Sequence, residues 1–108
     1  MLYRVYIGTE FDKNNQPLAK EVVATVLFLV ETDLARTFGG YTSTKSSGGY
    51  IHANGALAKE CSFVYEVVTN DSERDSAPLV RAIANRAGEY LNQESVLVVA
   101  IEARHEFI

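Results

Sequence analysis

The spacing of apolar side chains changes several times along the chain, and each change marks an element. In residues 3–11, Tyr3, Val5 and Ile7 alternate with Arg4, Tyr6 and Gly8. That is the period of two of a strand with one buried face. Residues 12–16 are a polar turn, where Asn14 or Asn15 can cap the next element, and Pro17 suits a first helical position. Residues 18–36 read as a helix. Their β-branched centre, Val22-Val23-Ala24-Thr25-Val26, would also suit a strand, but the run is too long without a turn signal for a strand. This helix is apolar around much of its circumference, so it is expected to be buried on more than one side, partly against a second subunit.

Gly39-Gly40 stops the helix, and residues 41–52 are polar and glycine-rich. Asn54-Gly55 is a strong hairpin signal, because both residues tolerate positive φ. The strand leaving it, residues 56–69, puts Phe63, Tyr65 and Val67 on one face. Residues 70–76 are a charged loop. Asp75 or Ser76 is a good N-cap, with Pro78 near the first turn. Leu79, Val80, Ile83, Ala84, Ala87, Tyr90 and Leu91 then form a stripe at helical spacing. Residues 92–95 break that helix, and 96–107 read as the last strand. Leu97, Val99, Ile101, Ala103, His105 and Phe107 share one of its faces; Val96, Val98, Glu102, Arg104 and Glu106 share the other.

The order strand, helix, strand, strand, helix, strand predicts one α+β domain over residues 1–108. It is the ferredoxin-like β-α-β-β-α-β arrangement, an antiparallel sheet with two helices on one face. The open face is expected to carry Leu2, Arg4, Tyr6, Val96, Val98, Glu102 and Arg104. That mixture suggests a homodimer contact there or on the first helix.

Composition narrows the function classes. Apolar residues make up 47% and charged residues 22% of 108 residues, an ordinary globular balance. The net charge is −4, too acidic to favour non-specific nucleic-acid binding. The longest apolar run, residues 22–30, is well short of the roughly 18–20 residues of a membrane span. A single cysteine and no signal peptide are expected of a cytoplasmic protein.

Candidate chemistry is sparse. Cys61 lies within a predicted strand, where a lone cysteine is usually a small buried hydrophobe. His52, Glu60, His105 and Glu106 have no metal-ligand spacing and could meet only through folding. Glu102 and Glu106 flank Arg104 on one strand face, which reads as surface ion pairing or as an arginine facing a ligand phosphate. Arg4 would lie beside Arg104 if the first and last strands pair. Residues 37–54 are more distinctive. They interleave Phe38, Tyr41 and Tyr50 with Thr42, Ser43, Thr44, Ser46 and Ser47 and one cation, Lys45. Aromatic rings stack on bases, and hydroxyls, glycine amides and a lysine hydrogen-bond phosphates. The same stretch reads equally as a polar hairpin with packing tyrosines.

Gly39-Gly-Tyr-Thr through Gly48-Gly-Tyr, Asn54-Gly55 leading to Lys59-Glu60, and Asn92-Gln-Glu-Ser-Val-Leu-Val98 together resemble the first family of phage Thoeris anti-defence proteins. The Gln93-Glu-Ser-Val-Leu97 stretch is also similar to a small uncharacterised bacterial family of the same element order. The Thoeris resemblance spans residues 39–108 and departs in a short C terminus. It implies an oligomeric sponge, in the cytoplasm of an infected bacterial host, that holds a cyclic ADP-ribose-type signal, or a cyclic oligonucleotide, without cleaving it. It further implies that Arg104 binds phosphate and that Phe38 or Tyr41 stacks on a base. Taken together with the open-face arginines and the aromatic, hydroxyl-rich stretch, the expected ligand site is Arg4, Arg36, Phe38, Tyr41, Thr42, Lys45, Tyr50 and Arg104, with no enzyme activity, cofactor or metal. The alternatives are a small dimeric enzyme using Tyr6, His52 and Glu60, or a protein-interaction module using the open sheet face.

Overall fold

In the computed structural model, which describes every residue except His52, the first alternation becomes strand β1, Leu2–Gly8. Tyr3, Val5 and Ile7 are buried and the intervening residues are half-exposed. Helix α1 (Lys20–Phe38), β2 (Thr42–Ile51), β3 (Leu57–Val68), α2 (Glu73–Tyr90) and β4 (Leu97–Ile101) follow. The sheet is antiparallel in the order β2-β3-β1-β4. The expected ferredoxin-like fold is the observed one.

The core lies between one sheet face and the two helices. Tyr3, Val5, Ile7, Tyr65 and Val67 meet Val26, Leu27, Val30 and Leu34 of α1 and Val80, Ile83, Ala84 and Ala87 of α2. One buried polar chain crosses this layer. The Tyr3 hydroxyl and Ser76 Oγ are 2.6 Å apart, and Ser76 Oγ donates to the Ser72 carbonyl at 2.6 Å. Both hydroxyls are thereby satisfied, so their burial carries no desolvation penalty of an orphaned group.

Several boundaries differ from expectation. Pro17 does not start α1. The Asp12 carboxylate accepts from the Asn14 and Gln16 amides at 2.8 and 2.9 Å, closing the turn on itself. Pro17 then bridges to Phe11, and the helix begins at Lys20. Its other end is as predicted: Gly39 takes φ 85°, and its N–H donates to the Ala35 carbonyl at 2.8 Å, a left-handed cap that glycine adopts without penalty. Helix α2 starts one turn early. Ser72 is its N-cap, accepting from the Asp75 amide at 3.3 Å, which moves Pro78 into the second turn.

The last strand is shorter than predicted and faces the opposite way. Leu97 pairs with Tyr6, Val99 with Arg4 and Ile101 with Leu2. Directly opposed residues share a face, so Leu97, Val99 and Ile101 lie on the open side. Val96 and Val98 instead pack on the core. β4 is apolar on both faces, so alternation could not fix its side; the register does. Residues 37–54 are not a long loop. Most of them form β2, an edge strand paired with β3 from Thr42↔Glu66 to Ile51↔Leu57.

Helix α1 leaves Val22, Phe28 and Leu29 exposed. Val22, Leu29 and Tyr90 line a shallow apolar cleft of about 380 Å³. Among the described residues, no helix is long and apolar enough to cross a membrane.

Candidate functional site

The open sheet face ends in a cleft of about 720 Å³. Its floor is Tyr6 and Gly8 of β1, Glu60 and Ser62 of β3, and Leu97 of β4. Tyr50 and Ala58 border it on the hairpin side. Two connections wall it: the turn carrying Phe11, Asp12, Lys13 and Asn15, and the segment Gln93, Glu94 and Ser95. The strands place the floor residues by register. Gly8 opposes Ser62, Tyr6 opposes Leu97, and Tyr50 opposes Ala58.

The two walls are tied together. The Lys13 amide donates to the Asn92 carbonyl at 2.9 Å, and Asn92 Nδ2 donates to Asp12 Oδ2 at 3.2 Å. Gln93 Nε2 donates to the carbonyls of Phe11 at 2.9 Å and Leu91 at 3.2 Å. The Gln16 amide, with Asn92 and the Asn14 amide adding to it, holds the Asp12 carboxyl below its ordinary range. A group whose pKa falls on folding stabilises the fold above its unfolded pKa, about 4, and loses that contribution as pH drops through the folded value. Acidification is therefore expected to free this wall, and Asp12→Ala to free it at neutral pH. Loss of protection at the Asn14 and Gln16 amides, read by NMR hydrogen exchange relative to the intrinsic rate at each pH, checks this; parent-like protection in Asp12→Ala would show that the turn does not depend on the carboxylate.

Chemically, the cleft combines aromatic faces with acids. Tyr6, Phe11 and Tyr50 contribute rings, of which Phe11 and Tyr50 are exposed. Among the described residues, Asp12, Glu60 and Glu94 share the cleft with two cations, Lys13 and Lys59. Among the described residues, the Glu60 and Glu94 carboxylates are in no ion pair.

The residues expected to bind ligand are not brought together. Tyr50 lines the cleft. Arg4 is on the open face but is paired with Glu66 at 2.9 Å. Arg36 is exposed in the last turn of α1. Arg104 lies beyond β4 in the exposed segment with Ala103, His105 and Glu106, and not beside Arg4, whose partner on β4 is Val99. Phe38 packs against the core. The Tyr41 ring meets Tyr65 edge-on at 5.7 Å. The Tyr41 and Tyr65 hydroxyls donate to the two oxygens of Glu31, at 3.1 and 2.6 Å. Burial first, then this carboxylate, raises the pKa of both phenols. These two rings therefore tie α1 to the sheet. Thr42 opposes Glu66, and Lys45 opposes Phe63.

Of the groups weighed for catalysis, Tyr6 and Glu60 do share the cleft, while His52 lies outside the described residues. Cys61 is exposed, not buried as expected. Its thiol pKa is raised, chiefly through its hydrogen bond to the Glu10 carboxylate, which disfavours the thiolate a nucleophile needs. Among the described residues, no three His, Cys, Asp or Glu side chains cluster to hold a metal. Gly8, Phe11, Lys13, Gln93 and Glu94 were not picked out as site residues. The one signal for them was a small residue at the end of a strand, followed by a polar turn.

No protein-family model and no curated protein matches the sequence. Solved structures do. A phage SAM lyase in its apo state superposes with a TM-score of 0.67 at 21% identity, over 90% of this chain and 75% of that one. A phage SAM lyase in complex with S-methyl-5'-thioadenosine gives 0.66 at 20%, over 90% and 76%. A divalent cation tolerance protein from Thermus thermophilus gives 0.56 at 12%, over 97% and 88%. At such identities the likeness is one of fold. It nevertheless corrects the expectation that the chain is no enzyme: a lyase is built on the same scaffold over nine-tenths of this chain. The Thoeris proteins are not among these neighbours.

Proposed function

We propose that the cleft binds S-adenosylmethionine and cleaves it to S-methyl-5'-thioadenosine. The observation that carries this reading is the meeting, in one cleft, of aromatic faces with Glu60 and Glu94, which are in no ion pair among the described residues. The substrate is an adenosine joined to an amino acid through a sulfonium, with net charge +1. Aromatic rings suit the base and the sulfonium, and acids suit the cationic end. A cyclic ADP-ribose-type ligand shares the adenosine but adds phosphates, and the arginines expected to hold those lie outside this cleft. The fold shared with a phage SAM lyase, one of whose structures holds S-methyl-5'-thioadenosine, supports the same choice.

The chemistry asks little of the protein. An oxygen of the substrate's own carboxylate attacks the γ-carbon, forming a C–O bond and closing a five-membered lactone. The C–S bond breaks and its electron pair stays on sulfur, which leaves as a neutral thioether. The products are S-methyl-5'-thioadenosine and homoserine lactone, and no proton or water is consumed. The positive sulfur and the negative carboxylate cancel as the bond forms, so a cleft that holds the folded conformer and sheds water favours the step. Such a substrate is consistent with a cytoplasmic location.

Purified protein incubated with S-adenosylmethionine is expected to release S-methyl-5'-thioadenosine, by chromatography and mass spectrometry, faster than a heat-inactivated control. Equal rates, with cyclic ADP-ribose retained intact in parallel, would overturn the reading. The self-association expected from the sequence would use the apolar side of α1, with Val22, Phe28 and Leu29 exposed. Sedimentation velocity is then expected to show an oligomer that Leu29→Glu weakens; a wild-type monomer at micromolar concentration would remove this idea.

A further inference from the structure

We infer that Glu60 and Gln93 form the subsite for the substrate's ammonium group, and that Gly8 is the position whose missing side chain lets their oxygens close on the backbone together. This rests on the proposed lyase function. Gln93 Nε2 faces two backbone carbonyls, of Phe11 and Leu91. Carbonyls only accept, so the amide is held in one orientation; flipped, its oxygen would oppose two oxygens. Gln93 Oε1 is thereby fixed as an acceptor. The segment that carries it is anchored as well, the Gln93 amide donating to the Gly88 carbonyl at 2.8 Å.

Gln93 Oε1 and Glu60 Oε1 converge over Gly8. A Cβ on Gly8 would stand 2.9 Å from Gln93 Oε1 and closer still to Glu60 Oε1. Gly8 is not among the residues with positive φ, so its glycine answers a need for space and not for backbone freedom. Among the described residues, neither oxygen meets a donor. Two acceptors, one of them anionic, brought together beside Gly8 repel each other until a donor arrives between them. An ammonium brings three N–H groups and a positive charge; a sulfonium brings no N–H at all.

The test compares two ligands that are not cleaved. S-adenosylhomocysteine carries the ammonium, and S-methyl-5'-thioadenosine lacks it while keeping the whole adenosine. By titration calorimetry, Gly8→Ala and Gln93→Leu are each expected to weaken S-adenosylhomocysteine about tenfold or more, the usual loss of a hydrogen bond to a charged group. Binding of S-methyl-5'-thioadenosine should stay within about twofold, which also shows that the cleft is still built. Equal weakening of both ligands would make this the adenine subsite and overturn the assignment, as would weakening of neither. Wild-type protein that binds neither ligand would overturn the nucleoside reading along with it.

Discussion

Glu60→Gln is expected to lower kcat/KM for S-methyl-5'-thioadenosine formation by about 10- to 100-fold, the equivalent of one charge-assisted hydrogen bond. Glutamine keeps the shape of the side chain and one acceptor but loses the charge. Glu60 is half-exposed and, among the described residues, makes no ion pair, so melting should be unaffected. The kinetic pattern is informative. If the carboxylate only holds the amino-acid end, KM rises and kcat stays. If it turns the substrate's carboxylate toward the γ-carbon, kcat falls as well. A parent-like rate in both parameters would remove Glu60 from the site.

Leu34→Ala is expected to cost about 2–5 kcal/mol of stability, and to lower Tm by roughly 10 °C or more. Leu34 is 0% exposed, in the layer between α1 and the sheet. Truncating it removes buried methyl groups and leaves a void that packed neighbours fill only in part. Domains are stable by about 5–15 kcal/mol in total, so this single change consumes a large share. Val22→Ala, on the exposed side of the same helix, should cost under about 1 kcal/mol. Urea unfolding of the pair reads the contrast, and similar losses would mean that α1 lies on the sheet by another face.

The elements were legible in the sequence because their signals are strong and local. β1 alternates cleanly, the α2 stripe keeps helical spacing, and Gly39 ends α1 with the left-handed turn its position demanded. What misled was ambiguity of face and of end. Leu97-Val98-Val99-Ala100-Ile101 is apolar throughout, so only pairing with β1 could decide which side chains turn outward. Pro17 looked like a helix start, but the Asp12 carboxylate claimed the intervening amides first.

The site was legible only in fragments. Tyr50 was picked as a binding residue, and Tyr6 and Glu60 as parts of a rival catalytic site, and all three line the cleft. Gln93 and Glu94 figured only in the resemblance. The cleft joins the end of β1, the turn after it and the segment before β4, pieces some eighty residues apart: Gln93 and Phe11 meet at a separation of 82. No local pattern carries that information. The aromatic and hydroxyl-rich stretch drew notice because it was dense in suitable side chains, but strand geometry divides those side chains between two faces.

The position of β1 sets how the chain must fold. It comes before the other five elements yet sits inside the sheet, with Leu2 paired to Val68 on one side and Ile101 on the other. Neither neighbour is local, so the ends of long loops must meet before β1 gains its first partner, and that entropy is spent before any burial repays it. Helix α1 can flicker in microseconds, but closing the sheet is expected to take milliseconds to seconds. Until β4 arrives, one flank of β1 is an unpaired strand edge, the state in which a nascent or heated chain is most exposed to pairing with another copy.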